Sequence, residues 1–120
     1  MITEDYVSFE IAKLLKEKGF DGIATNSYDN YTLEFLPHCA KHYGQTNAPT
    51  LQMAMKWLRE ERDVQIEITI VGTNTWESPT KWVYGFRCQT KDVIDRRNAD
   101  FSSYEEACES AIKYCLENLI

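Results

Sequence analysis

VQIEITI, residues Val64 to Ile70, alternates apolar and polar positions without a break. A strand places successive side chains on opposite faces. Val64, Ile66, Ile68 and Ile70 therefore share one side, and Gln65, Glu67 and Thr69 the other. Lys81–Gln89 repeats the pattern, setting Trp82, Tyr84, Phe86 and Cys88 together against Lys81, Val83 and Arg87. The intervening residues 72–80 hold Gly, Asn, Ser and Pro, which favour turns, so the two runs read as an antiparallel hairpin with a long loop. A third strand is expected at Tyr31–Leu36, closed by Pro37.

Working outward, three segments carry helical periodicity. The first follows Ser8 as N-cap, with Ile11, Leu14 and Leu15 in one stripe; Gly19 and Phe20 suit a Schellman ending. The second follows Thr50, with Leu51, Ala54, Met55 and Leu58 on a common face flanked by Trp57. The third follows Ser103, whose spacing to Glu106 is that of a capping box, and its apolar face runs from Ala107 to Leu119. The order is α-β-α-β-β-α. The expected fold is a single two-layer α+β domain over residues 1–120, with an antiparallel sheet of about three strands and helices on one face. Ile66, Ile68, Ile70, Trp82, Tyr84 and Phe86 should face the last helix and Leu58. Glu67, Thr69, Lys81, Val83 and Arg87 should face outward.

The pattern D-[YF]-x-S-[FY]-E-x-A occurs at Asp5–Ala12 and again at Asp100–Ala107. A duplication would produce it. So would two helices started by the same devices, a serine cap with an acid in the first turn. No other stretch repeats at a fixed period, which favours capping.

A chain of 120 residues buries roughly two-thirds of the surface it exposes when unfolded, and 43% hydrophobic with 27% charged residues is an ordinary globular balance, which argues against wholesale disorder. No apolar run approaches the ~20 residues of a membrane helix. The start, Met1–Asp5, lacks the basic and apolar regions of a secretory signal, so a cytoplasmic location is expected. The four cysteines, Cys39, Cys88, Cys108 and Cys115, then read as reduced and mostly buried thiols. Cys108 and Cys115 on one helix would stand roughly 10 Å apart, beyond the ~4.4–6.8 Å a disulfide spans.

The net charge of −6 disfavours non-specific attraction to nucleic acid or anionic lipid. Lys13, Lys16 and Lys18, and Arg96-Arg97, are the candidate basic patches, each interleaved with acids. Nucleic-acid binding would require Lys13, Lys16, Arg96 and Arg97 to converge on one face. His38 and His42 have the i, i+4 spacing of a metal pair, but no further ligand set completes a tetrahedral site. The same histidines are the only partners for a nucleophilic thiol, and Cys39 is the only loop cysteine. Phosphate-binding glycine loops and serine-hydrolase elbows are absent. Neither a catalytic set nor a metal or cofactor site is therefore assigned.

The aromatics carry more information. Tyr28, Tyr31, Tyr43 and Trp76 fall in or beside expected loops, where exposed Tyr and Trp are the residue types that anchor interfaces. They are the candidate contacts for a protein partner or for a second copy of the chain. The bland alternative is that they fold back on the core.

Three segments, EDYVSFEIAKLLKEKGFD (4–21), APTLQMAMKWLRE (48–60) and SSYEEACESAIKYCLENLI (102–120), resemble a group of small proteins common in gut Bacteroides genomes, their phages and mobile elements. The segments cover under half of the chain. The resemblance implies a small cytoplasmic α+β protein, and it carries over no activity and no site residues.

Overall fold

The computed structural model describes residues 4–21, 26–37, 45–71, 81–88 and 93–120. Along the chain these form α1 (Phe9–Glu17), β1 (Ser27–Asp29), β2 (Phe35–Leu36), β3 (Gln45–Asn47), α2 (Leu51–Glu61), β4 (Gln65–Val71), β5 (Lys81–Cys88), β6 (Val93–Phe101) and α3 (Tyr104–Asn118). The fold is mixed α+β, with two three-stranded antiparallel sheets of order β4-β5-β6 and β2-β1-β3.

The alternation in VQIEITI sets the larger sheet. β4 pairs with β5 so that Ile66 opposes Phe86, Ile68 opposes Tyr84 and Ile70 opposes Trp82. That row faces the helices: Phe86 and Tyr84 are buried, and Ile66 and Ile68 pack at the core's edge. Phe86 stacks on Tyr114 of α3 at 5.4 Å, and Trp82 meets Tyr104 edge-on at 5.5 Å. On the outer face Glu67 pairs with Arg87 at 3.4 Å, an exposed contact of little energetic weight. The expected division of the two faces holds, except that Ile70 at the far end remains 55% exposed.

Each helix begins on the cap its sequence supplies. Ser8, Thr50 and Ser103 accept from the amides of Ile11, Met53 and Glu106. Glu106 does not complete the box by returning to the Ser103 amide; its carboxylate accepts the Ser102 hydroxyl at 2.7 Å. α1 ends as expected, with Gly19 at φ +91°, Phe20 N–H donating to the Leu15 carbonyl and Gly19 N–H to that of Lys16. Phe20 then packs on Trp57, whose ring also lies beneath the Arg62 guanidinium at 5.3 Å. Arg62 also donates to the Lys18 carbonyl, fastening the end of α1 to the end of α2.

α2 and α3 pack on the larger sheet, and α1 packs on α3 and on β3. Ile11, Leu15, Leu58, Ile112 and Leu116 are buried where the three helices meet. Cys108 and Cys115 lie on the same buried face and are not bonded to each other. Burial pushes the Cys108 thiol up to about 11, so it stays protonated and unreactive at neutral pH.

Two parts of the expected sheet are corrected. Of Tyr31–Leu36 only Phe35–Leu36 is strand, and it pairs with β1 in the smaller sheet. Tyr31 and Thr32 are drawn into a turn by the Asp29 carboxylate, which accepts from both amides. The third strand of the larger sheet is β6, whose central residues Asp95-Arg96-Arg97-Asn98 show no apolar alternation. It occupies an edge, where one side needs no apolar neighbour and charges are tolerated. The repeated helix-start motif places Ser8 and Ser103 as caps of α1 and α3, each followed by an acid in the first turn.

The start of the described chain is tied to the start of α2. Val7 N–H donates to the Pro49 carbonyl, Leu51 N–H donates to that of Asp5, and Tyr6 forms an isolated bridge with Thr50.

Candidate protein-contact site

The β1–β2 connection is a five-residue turn, Asn30-Tyr31-Thr32-Leu33-Glu34, built around one carboxylate. Asp29 Oδ1 accepts from Tyr31 N–H at 2.8 Å and Thr32 N–H at 3.0 Å. The Asp29 backbone closes the same turn, accepting from Leu33 N–H at 2.8 Å and donating to the Glu34 carbonyl at 2.9 Å. Those amide hydrogen bonds hold the Asp29 carboxyl below the usual carboxylate range. Leu33 takes φ +62°, a left-handed conformation uncommon for a leucine, and so turns the chain back into β2.

The consequence is a fixed knuckle with two apolar side chains in water. Tyr31 is 85% exposed and Leu33 53%. Exposing a tyrosine and a leucine side by side on a hydrogen-bonded turn does nothing for the core, and pre-ordered aromatics of this kind are the residues that fill pockets on partners.

Tyr28, in β1 just before the turn, does the opposite work. Its ring lies between Phe9, edge-on at 5.8 Å, and Phe35 at 5.4 Å, and its hydroxyl donates to the Val7 carbonyl at 2.6 Å. Burial first, and then the charge of Glu109, push its phenol up, so it is a neutral hydrogen-bond donor. Tyr28 folds back on the core and anchors the smaller sheet to α1. Tyr43 and Trp76, the other two expected contact residues, lie outside the described residues, as do His38, Cys39 and His42.

Beside the knuckle, a cleft of about 600 Å³ opens between α1 and the smaller sheet. Among the described residues its walls are Phe9, Lys13, Lys16 and Glu17 from α1, with Asn30 and Thr46 opposite. The Thr46 hydroxyl donates to Asn30 Oδ1, which fixes the side chain next to Tyr31. Neither Lys13 nor Lys16 has an ion-pair partner among the described residues. A second hollow of about 190 Å³ lies at the starts of α2 and α3, bordered by Glu4, Asp5, Gln52, Tyr104 and Glu105. No cluster among the described residues has the composition to hold a metal ion.

Lys13 and Lys16 are on α1, which packs on α3 and β3, whereas Arg96 and Arg97 are on β6, which packs on β5 and α3. Among the described residues no helix is long and apolar enough to cross a membrane. Comparison with protein-family models, curated proteins and solved structures yields no match.

The sequence marked Tyr31 through its residue type and its place near a turn. It did not mark Leu33, which reads as the inward position of an alternating strand. The signal available was Asp29, since Asp followed two and three residues on by ordinary amides is the pattern of an Asx turn.

Proposed function

We propose that the protein is a non-enzymatic binding module that engages a protein partner through the Tyr31–Leu33 knuckle. The observation that carries this reading is the 85% exposure of Tyr31 on a turn locked by the Asp29 carboxylate. The neighbouring cleft supports it. Lys13 and Lys16 give a local positive edge on a chain of net charge −6. A partner with an apolar pocket for the tyrosine ring and acidic groups at its rim complements both features, and the opposed charges would speed encounter more than they tighten the complex.

The test is an affinity capture from the native host run with three baits: the unaltered chain, Tyr31→Ala and Ile70→Ala. A protein retained by the first and third baits and lost from the second supports the knuckle as the contact. Equal retention by all three sinks it.

A further inference from the structure

The larger sheet has two outer edges, and they differ. Native proteins guard exposed edges with charges, bulges or proline, because unpaired amides and carbonyls otherwise recruit another strand. β6 is guarded twice over. Its sequence carries Asp95, Arg96, Arg97 and Asp100, and its pairing with β5 slips so that Trp82 opposes Phe101 while Tyr84 opposes Arg97. β4 has neither device. It runs in unbroken register with β5 from Gln65↔Arg87 to Val71↔Lys81, contains no proline and carries a single charge, Glu67. Among the described residues nothing pairs with its outer edge. Ile70 also remains 55% exposed on the side that faces the helices.

We infer that the outer edge of β4 pairs antiparallel with β4 of a second copy of the chain, about a two-fold axis through Ile68. The result is a continuous six-stranded sheet.

The sequence selects this register. Centred on Ile68, all seven residues of β4 are paired. Ile68 opposes Ile68 of the partner subunit, Ile66 opposes Ile70 of the partner subunit, and Glu67 opposes Thr69 of the partner subunit. Each exposed Ile70 gains an apolar cross-strand neighbour, and no like charges meet. Centring on Glu67 would set two carboxylates face to face and leave Ile70 without a partner. Centring on Thr69 would pair fewer residues. A shift of half a step would place apolar residues opposite polar ones on the wrong face.

Thr69 is exposed on the outer face, and the dimer holds two Thr69–Glu67 pairs, so a charge placed at Thr69 reads out the pairing without touching the core. Sedimentation analysis of the full chain over a roughly hundredfold concentration range should show a monomer–dimer equilibrium. Thr69→Glu should raise the dimer dissociation constant about tenfold, and Thr69→Lys should lower it by about the same factor, with circular dichroism unchanged in both. The lysine variant must fold to tighten the dimer, so it keeps the test decisive if the glutamate variant folds poorly. A monomer at every concentration overturns the inference, and so does a response of the same sign, or none, to the two opposite charges. A dimer formed through the Tyr31 knuckle would give that last result.

Discussion

The two sheets of this protein are both three-stranded and antiparallel, yet they are held by different physics. The larger sheet is a platform for packing: Phe86 stacks on Tyr114 of α3, Tyr84 and Ile68 join the same core, and the strands exist because their apolar rows are covered. The smaller sheet has strands of three, two and three residues, and several of its central positions are polar. Ser27 and Thr46 are buried there, as is the adjoining Asn26. What fixes its turn is a carboxylate on two amides and a tyrosine hydroxyl on a carbonyl. A sheet built on burial stabilises the fold. A sheet built on local hydrogen bonds can hold a side chain out in water at a set position.

The comparison can be broken most directly from the packed side. Phe86→Ala removes a fully buried ring from the larger sheet and should cost about 3–5 kcal/mol in denaturant unfolding. A loss below about 1 kcal/mol would mean that the sheet does not depend on that row. Next in size is the place where the chain leaves α1 for the smaller sheet. Gly19 sits at φ +91°, so Gly19→Ala should cost about 1–2 kcal/mol through backbone strain, although among the described residues a methyl there would meet only Arg62 at 3.5 Å.

The smaller sheet should respond to acid where the larger one does not. The Asp29 pKa is lowered in the folded chain, so its contribution is complete above the unfolded value and is lost as pH falls through the folded value. The Tyr31 and Thr32 amide resonances should therefore titrate with a midpoint below the usual carboxylate range, and Asp29→Asn should abolish that titration. Amides of β4 and β5 should not follow it. The smallest effect expected on stability is that of Tyr31→Ala, within about 0.5 kcal/mol of the unaltered chain, because the ring touches so little. A larger loss would show that Tyr31 belongs to the scaffold after all.

The same difference explains what could be read from the sequence. The strands β4 and β5, the three caps and the Gly19 ending were legible because periodicity and capping act over a few residues. β6 was not, since its centre, Asp95-Arg96-Arg97-Asn98, carries no apolar alternation. β1 and β3 were not, because Ser27, Tyr28 and Thr46 gain their environment from α1 and from each other. The knuckle was half legible. Tyr31 was marked, but Leu33 was assigned to a strand interior, and Tyr28 was marked although its hydroxyl is committed to Val7.

The pairing of Asp5–Val7 with Pro49–Leu51 has a topological consequence. The chain enters α1 and returns to α2 at almost the same point in space, so α1 and the smaller sheet form a closed excursion whose two ends are stitched together. Once that stitch exists, the entropy of joining the ends no longer depends on what the excursion does. α1 does not loosen alone, because Ile11 and Leu15 share one core with Leu58, Ile112 and Leu116, so the amides of α1 should lose exchange protection together with those of α3.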